Sequence, residues 1–279
     1  MKPIKTVCIG GGGFVAYAYY GAVKYLKEHN MLDECTTYIG TSAGAIISLI
    51  MVLNTTDEII DEMFCNSSNA YHEDDLDLYN FIDTWGICNK NRILNMFNIV
   101  MKNTYGKLLT FKEFYEITGK KFVVCAVNVS KQKMTYFSHE NFPDLNVIDA
   151  VEASINIPFI MQKKVIDGDV YCDGCLGPSV GKVASTDSNN ETLLIHHYKP
   201  IESSNEINTI WDYASNIIGF FNKTPIEFYD NHPTILIDST DIPFINFDCD
   251  DVCKNKENYM KIGEYTAEKW LNEHNEIKE

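Results

Sequence analysis

The chain has 279 residues, of which 45% are hydrophobic, and it carries a formal net charge of −16 at pH 7. This hydrophobic content is enough for a large buried core and excludes a disordered chain. The acidic balance argues against binding to nucleic acids and to strongly anionic bilayers, and no apolar run reaches the roughly eighteen residues that a transmembrane helix needs.

The N-terminal part predicts two strands joined by a helix. Residues 5–9 have strand character and lead into four consecutive glycines, Gly10 to Gly13. A helix is predicted near residues 17–29 and a second strand over residues 36–39. Because a helix connects the two strands, they are expected to pair in parallel through a crossover.

The second strand leads into Gly40-Thr41-Ser42-Ala43-Gly44, a pattern typical of a nucleophile on a sharp turn between a strand and a helix. A serine at the tip of such a turn crowds its neighbours, and Gly40 and Gly44 are predicted to relieve that crowding. The apolar helix predicted at residues 45–53 places its positive N-terminal end near Ser42 Oγ, which favours an alkoxide. Such a pentapeptide also occurs by chance, so its interpretation depends on the other motifs.

The glycine run has two possible functions. Its backbone N–H groups could hold an oxyanion, or the G-x-G-x-x-A pattern of residues 11–16 could bind the phosphates of a dinucleotide. A dinucleotide site requires an acidic residue at the end of the second strand. Asp33 and Glu34 precede that strand, and Gly40 follows it, so the oxyanion hole is favoured.

Residues 57–119 are more variable and predict a mainly helical region that covers the sheet and could supply a lid. Helical patterns occupy residues 57–64, 77–81, 92–102 and 110–118, with an acidic loop at residues 72–75. After this region, strands are predicted at residues 122–129 and 134–137, and a helix at residues 147–154.

Residues 163–172 predict a β-hairpin with Asp167-Gly168 at its turn, a pair that matches the twist of the two strands. The second strand ends in Asp173-Gly174-Cys175. An aspartate at a strand end, followed by a glycine at which the chain can turn away, is well placed to meet a serine at another strand end. Taken alone, Asp173 could instead cap a turn.

The C-terminal part predicts a strand at residues 192–195, a helix at 207–221, a strand at 234–237 and a closing helix at 256–274. No internal repeat or long linker is present, so residues 1–279 are predicted to form a single domain. The nine cysteines indicate free thiols in a reducing compartment, and the absence of a secretory signal predicts a cytoplasmic location.

Neither of two short cysteine spacings predicts a metal site. Cys172 and Cys175 form a C-x-x-C pattern, but no second pair at zinc-finger spacing accompanies it. Cys249 and Cys253 flank two aspartates, which are expected to form a solvated acidic turn. No metal and no cofactor is therefore expected.

The glycine loop, the serine turn and the aspartate hairpin, in this order, resemble those of the patatin-like phospholipases. These are lipid acyl hydrolases related in fold to the catalytic domain of cytosolic phospholipase A2. The resemblance covers most of the chain, and its further elements are Gly21-Ala22, the small-residue segment 151–159 that contains Pro158, and residues 262–267. It implies an α/β fold of three α/β/α layers with a mainly parallel central sheet.

The resemblance also implies a Ser-Asp dyad. Ser42 would attack the ester carbonyl, and Asp173 would accept its proton without a histidine. The N–H groups of Gly11, Gly12 and Gly13 would hold the oxyanion, each worth on the order of 3 kcal/mol. Because an exposed aspartate with a pKa of about 4 is a poor base, Asp173 is expected to be partly buried.

A phospholipid or other acyl lipid is the substrate that the resemblance implies, with calcium-independent hydrolysis and transient peripheral contact with a membrane. Residues 57–119 would then form a lid or the acyl-chain pocket. The net charge predicts a preference for neutral or zwitterionic lipids, reached through an apolar patch. Phe14, Tyr17, Tyr19 and Tyr20 fit either such a patch or the core side of the first helix.

The chain departs from the family's pattern at three places. Val15 and Ala16 stand where the family usually has Arg or Lys followed by Gly, and Cys175 replaces a small residue beside the proposed base. Residues 177–180 replace the usual Asn-x-Pro. A catalytically inactive patatin-fold protein that binds lipid or protein is therefore an alternative, and a nucleotide-binding protein that uses the glycine loop is another.

A different hydrolase mechanism is a further alternative. In an α/β-hydrolase triad, Asp173 and one of the later histidines His196, His197 and His232 would together activate Ser42. In those folds, however, the serine turn follows several strands, whereas here it ends the second. The dyad is therefore preferred to the triad.

Overall fold

The structure, a computed structural model, describes residues 2–55, 59–60, 79, 81–88, 92–177, 191–199, 216, 232–243 and 249–276. The predictions for residues 61–78, for residues 178–180 and for nearly all of the helix at 207–221 lie outside the described residues.

Helices separate most of the strands over the first half of the described chain. The strands are β1 (Thr6–Ile9), β2 (Thr37–Thr41), β3 (Gly86–Cys88), β4 (Lys121–Asn128), β5 (Lys133–Phe137), β6 (Phe159–Met161), β7 (Lys164–Ile166), β8 (Asp169–Asp173), β9 (Thr192–Tyr198) and β10 (Thr234–Asp238). The helices are α1 (Ala16–Glu28), α2 (Ala43–Leu53), α3 (Phe81–Thr84), α4 (Arg92–Tyr105), α5 (Phe111–Thr118), α6 (Val147–Ser154) and α7 (Cys249–Glu276). Short 3₁₀ turns follow the glycine loop, at Gly13–Val15, and β8, at Gly174–Leu176.

A central sheet of eight strands has the order β10-β9-β1-β2-β4-β8-β7, and β5 also pairs with β4. The pairs β10–β9, β9–β1, β1–β2 and β2–β4 are parallel, whereas β4–β5, β4–β8 and β7–β8 are antiparallel. Strands β3 and β6 form a separate parallel pair. The prediction of an α/β fold with a mainly parallel central sheet is confirmed.

The two faces of the sheet belong to different apolar clusters. Val7, Tyr38 and Phe122 lie in register on one face and join the main core, to which α1, α2, α4, α5, α6 and α7 contribute. Cys8, Ile39 and Val123 alternate with them and form a smaller cluster on the other face. Strands buried on both faces explain why the segments read as continuous apolar runs.

The aromatic residues of the first helix belong to the core. Tyr17, Tyr19 and Tyr20 are buried in the main cluster, and Phe14 packs against it half-buried. These side chains therefore form no exposed apolar patch. Exposed large apolar side chains occur instead around the β3–β6 pair, at Ile82, Trp85 and Phe159.

Helices α1 and α7 cross with their backbones in contact. A Cβ atom on Gly21 would overlap the carbonyl of Met260, and one on Gly263 would overlap the carbonyl of Ala18. Two glycines far apart in the chain are thus required by one helix crossing. None of the described helices combines the length and the apolar character needed to cross a bilayer.

Candidate active site

Ser42 lies at the tip of the turn between β2 and α2. Its backbone dihedral angles are φ 52° and ψ −123°, a strained combination for a residue with a side chain. The side chain and backbone together are only 6% exposed. This conformation directs Ser42 Oγ away from the strand axis and towards β8.

The two glycines of the turn are required by different neighbours. A Cβ on Gly40 would overlap the backbone of Ala45, where the turn closes on itself. A Cβ on Gly44 would overlap the carbonyl of Ile9, at the end of β1. Gly40 therefore permits the turn, whereas Gly44 lets α2 pack against the neighbouring strand.

Helix α2 starts directly after Ser42 and is buried from Ala43 to Val52. The N–H of Ala45 donates to the carbonyl of Ser42 at 2.8 Å, so the serine caps the helix with its backbone. The positive end of the helix dipole therefore lies beside Ser42 and favours negative charge there.

Strand pairing explains how Ser42 and Asp173 meet. Strand β5 occupies one edge of β4, so β2 and β8 share the other edge. Thr41, the last residue of β2, pairs with Cys125, and Asp173, the last residue of β8, pairs with the adjacent Ala126. Because β2 runs parallel and β8 antiparallel to β4, the carboxyl ends of β2 and β8 converge on one point.

Ser42 Oγ donates a hydrogen bond of 2.7 Å to Asp173 Oδ2. The other carboxylate oxygen, Oδ1, accepts the N–H of Cys175 at 2.8 Å. The N–H of Asp173 donates to the carbonyl of Asn156 at 2.8 Å. The carboxylate is thus held at both oxygens and through its own backbone, and it is only 4% exposed.

Burial raises the pKa of Asp173 to about 6, and the hydrogen bonds from Cys175 and Ser42 oppose this shift. Desolvation destabilises a carboxylate relative to its neutral acid, which is the cause of the rise. A carboxylate with this pKa is still mainly ionised at pH 7 and binds a proton more tightly than an exposed aspartate. The pKa of Asp173 therefore lies closer to neutral pH than that of an exposed aspartate.

The glycine loop passes beside Ser42. A Cβ on Gly11 would lie 3.1 Å from Ser42 Cβ. The N–H of Gly10 donates to the carbonyl of Ile195 at 3.0 Å, as part of the sheet. Within the described ranges no backbone carbonyl accepts a hydrogen bond from the N–H of Gly11, Gly12 or Gly13.

Two site residues were missed from the sequence. Ser154, fully buried at the end of α6, accepts the N–H of Ser42 at 2.8 Å and donates to the carbonyl of Cys125 at 2.6 Å. Asn156 holds the backbone of Asp173 and donates to the carbonyl of Tyr171 at 3.1 Å. Both lie in the small-residue segment before Pro158, whose only sequence signal was its composition.

His196 and His197 each contact another side chain or the backbone of β9. His197 Nδ1 lies 2.7 Å from Tyr19 Oη, and His196 Nδ1 accepts the N–H of His197 at 2.7 Å. Burial lowers the pKa of His196 to about 4 and that of His197 to about 3, so both rings are neutral at pH 7. Among the described residues, Asp173 accepts the hydrogen bond that the Ser42 hydroxyl donates.

The structure gives a packing reason for two of the departures from the family's pattern. Val15 is buried in the main core, where a cationic side chain would be desolvated. Cys175 is buried, and its Sγ lies where a Cβ on Gly11 would be. The thiol thus fills space beside the glycine loop. Residues 178–180 lie outside the described residues.

Comparison with known sequences gives one family. The profile described as "Patatin-like phospholipase" matches residues 7–180, which include the glycine loop, the serine turn and Asp173. The chain is 29% identical over 176 residues to an uncharacterised protein of Acanthamoeba polyphaga mimivirus, with 61% of this chain and 58% of that protein covered. It is 27% identical over 176 residues to a probable lipid hydrolase of Invertebrate iridescent virus 6, with 62% and 60% covered.

The chain therefore spans about three fifths of the length of these two viral relatives. The crystal structure of VipD from Legionella pneumophila is similar with a TM-score of 0.63 at 14% sequence identity, and 98% of this chain and 67% of that chain are covered. This likeness concerns the fold alone. Because the family profile matches more than half of the chain, the protein belongs to the patatin-like phospholipase family.

Proposed function

We propose that this protein is a lipid acyl hydrolase that cleaves carboxylic esters of phospholipids or other acyl lipids through Ser42 and Asp173. The observation that carries the proposal is the 2.7 Å hydrogen bond from Ser42 Oγ to the buried carboxylate of Asp173. Family membership and the relative named a probable lipid hydrolase support a lipid ester as the substrate.

In the first half of the reaction, Asp173 Oδ2 accepts the hydroxyl proton while Ser42 Oγ attacks the ester carbonyl carbon. The carbonyl oxygen gains negative charge and is stabilised by the N–H groups of Gly11, Gly12 and Gly13, together with the N-terminus of α2. Collapse of the tetrahedral intermediate breaks the ester C–O bond, and Asp173 returns its proton to the leaving alcohol. An acyl-Ser42 ester remains.

In the second half, water replaces the alcohol. Asp173 accepts a proton from the water as its oxygen attacks the acyl carbonyl, and the same N–H groups stabilise the second tetrahedral intermediate. When the Ser42 ester bond breaks, Asp173 gives the proton back to Ser42 Oγ. The fatty acid leaves and the dyad is restored without a histidine or a metal-bound water in the proposed cycle.

More specifically, the proposed activity is the removal of an acyl chain from a phospholipid without a requirement for calcium. Small esters are expected to be hydrolysed as well, because the reacting groups contact only the ester itself. A catalytically inactive binder on the same fold is the second candidate. The observation that favours it is the Cys175 thiol, which lies against the proposed oxyanion loop.

The test is hydrolysis of p-nitrophenyl butyrate and of a mixed-chain phosphatidylcholine, without calcium, by the wild type, Ser42→Ala and Asp173→Asn. Ser48→Ala is a matched control, since Ser48 is a buried serine in the second turn of α2, the helix that follows Ser42. Asp169→Asn is a second control because Asp169 lies on the same strand but pairs with Lys131 at the surface.

Activity in the wild type and both controls, lost in Ser42→Ala and Asp173→Asn, would support the dyad. Labelling by a fluorophosphonate, located on Ser42 by peptide mass spectrometry, gives an independent readout. A wild type that is both inactive and unlabelled would favour the binder. An active Asp173→Asn would exclude Asp173 as the base.

A further inference from the structure

We propose that Tyr19 and His197 are positioning residues that fix the Gly11–Gly12 peptide, so that the N–H of Gly12 is held ready to donate to the oxyanion. The proposal rests on the proposed function, because the oxyanion forms only if Ser42 attacks an ester. It assigns a positioning role to a buried tyrosine and a half-buried histidine that the dyad mechanism does not use.

The carbonyl oxygen of Gly11 is held by a hydroxyl group that has contacts from two elements. Tyr19, on α1, donates its hydroxyl to the carbonyl of Gly11 at 2.8 Å. The same hydroxyl oxygen lies 2.7 Å from Nδ1 of His197, on β9. Tyr19 is fully buried, and α1 and β9 both pack into the main core. The hydroxyl is therefore attached to one packed element, α1, and bonded to a residue of another, β9.

Holding this carbonyl also orients the next N–H group. A trans peptide is planar, with its C=O and N–H pointing in opposite directions. Gly11 O points to Tyr19, so the N–H of Gly12 points away from Tyr19. Glycines have the most freedom to rotate this plane, and the Tyr19 hydroxyl restricts that rotation.

The hydrogen bonds require one tautomer of His197. The Gly11 carbonyl can only accept, so the single hydroxyl proton of Tyr19 lies towards Gly11. Nδ1 of His197 must then supply the proton of the second hydrogen bond. Burial keeps the ring neutral, so this hydrogen-bond chain requires the Nδ1–H tautomer, with Nε2 unprotonated.

The His197 ring has a second contact with the loop. A Cβ on Gly12 would lie 2.9 Å from His197 Nδ1, so the ring packs against the bare backbone of Gly12. The ring therefore limits movement of the same peptide that the Tyr19 hydroxyl holds. A phenylalanine at position 19 would fill the core equally well but would not hold the carbonyl.

The first experiment compares Tyr19→Phe with the wild type in steady-state hydrolysis of p-nitrophenyl butyrate. Because an oxyanion donor acts mainly in the transition state, kcat is expected to fall about tenfold to a hundredfold while KM changes less than about twofold. Tyr38→Phe is the matched control: Tyr38 is also buried, but it lies at the start of β2, and Ser42 follows the other end of that strand. An unchanged kcat in Tyr19→Phe, or an equal loss in Tyr38→Phe, would overturn the proposal.

A second pair of variants tests His197. Asparagine places an amide N–H close to the position of Nδ1–H, whereas leucine has no donor. His197→Asn is therefore expected to keep most of kcat, and His197→Leu to lose it in part. If both residues act on one peptide, Tyr19→Phe and His197→Leu together should lower kcat by less than the product of their separate effects. A fall in kcat of the double variant equal to the product of the two separate factors would contradict a shared role.

Nitrogen NMR of the wild type decides the tautomer without any measurement of activity. Proton attachment at Nδ1 of His197 would support the hydrogen-bond chain, and attachment at Nε2 would overturn it. A wild type that hydrolyses no ester would overturn the proposed function. An active wild type with an unaffected Tyr19→Phe would overturn only the positioning role, so the two failures are distinguishable.

Discussion

Asp173 is an aspartate whose surroundings change its chemistry. In water its side chain would be a weak base, but burial between β4, the end of α6 and the turn after β8 raises the pKa of its carboxyl group to about 6. Two donors, the Cys175 N–H and the Ser42 hydroxyl, keep it ionised at neutral pH. The same desolvation that strengthens the base also destabilises the folded protein.

The pH dependence of hydrolysis should follow from this pKa. Because Asp173 must be ionised to accept a proton, kcat/KM for p-nitrophenyl butyrate is expected to rise with pH, with an inflection near pH 6. The inflection should remain in His197→Asn, since burial keeps His197 neutral throughout this range. An inflection near pH 4, where an exposed carboxylate titrates, would contradict the effect of burial.

Asp173→Asn is expected to abolish activity yet stabilise the fold. The pKa of Asp173 is higher in the folded than in the unfolded chain, so folding is favoured by its protonation and opposed by its charge. At pH 7 the free energy of unfolding should increase by on the order of 2 kcal/mol in the variant. Near pH 4 the difference should nearly vanish, because the wild-type carboxyl group is then protonated when folded.

Urea unfolding of the wild type and Asp173→Asn at both pH values measures this difference. Asp169→Asn is the control, because Asp169 has its pKa lowered by Lys131 and should show no gain at pH 7. A lower stability of Asp173→Asn than of the wild type at pH 7 would contradict the prediction.

Among the secondary-structure elements, β4 organises the site. It pairs with β2 and β8 along a single edge, and it also receives the hydrogen bond from Ser154 of α6 at the carbonyl of Cys125. Ser42, Asp173 and Ser154 are thus all positioned by two adjacent residues of this central strand, Cys125 and Ala126. Helix α2 can pack against β1 only because residue 44 is glycine.

Replacing Gly44 by alanine should therefore disrupt the site by moving α2 away from β1. The added Cβ would overlap the carbonyls of Ile9 and Gly10, so β1 and α2 must separate. The free energy of unfolding is therefore expected to fall by about 3 kcal/mol. Gly168→Ala is the control: Gly168 has φ 82° in the β7–β8 turn, and no atom of the described residues beyond its chain neighbours lies within 4 Å of its Cβ position. The free energy of unfolding of Gly168→Ala should fall by only about 1 kcal/mol.

Urea midpoints and esterase rates distinguish the two variants. Gly44→Ala should lose both stability and activity, whereas Gly168→Ala should keep its activity because the hairpin turn lies away from Ser42. Equal losses in the two variants would show that conformational strain, and not contact between α2 and β1, determines the requirement for glycine.

For the whole molecule, net charge should decide which lipid surfaces are accessible. A charge of −16 repels anionic bilayers at long range. The exposed apolar side chains of Ile82, Trp85 and Phe159 are available for contact with a neutral surface. We therefore predict faster hydrolysis of phosphatidylcholine vesicles than of vesicles in which half of the lipid is phosphatidylglycerol.

The difference between the two vesicle types should shrink as salt is raised to roughly 0.5 M, because the Debye length then falls well below its value at low salt. p-Nitrophenyl butyrate in solution is the control, and its hydrolysis should be insensitive to salt over the same range. Faster hydrolysis of the anionic vesicles at low salt would contradict a repulsive role of the net charge.

Much of the fold follows from local patterns. The glycine loop, the serine turn and the Asp-Gly hairpin each depend on residues close together in the chain, so their steric requirements are visible in the sequence. The helix at residues 147–154 and the strands around it were predicted within one or two residues of their bounds. The short strands β3 and β6 were not predicted, because three residues contain too little periodicity to recognise.

The sequence by itself determined the parts: a serine on a strained turn, glycines with bare N–H groups, and an aspartate at a strand end. Only the tertiary structure decided that Ser42 and Asp173, 131 residues apart, share a hydrogen bond. It also decided that burial raises the pKa of Asp173, and that Ser154 and Tyr19 hold the backbone of Ser42 and of Gly11. These features could not be read from the sequence because strand pairing and desolvation both depend on residues that are distant in the chain.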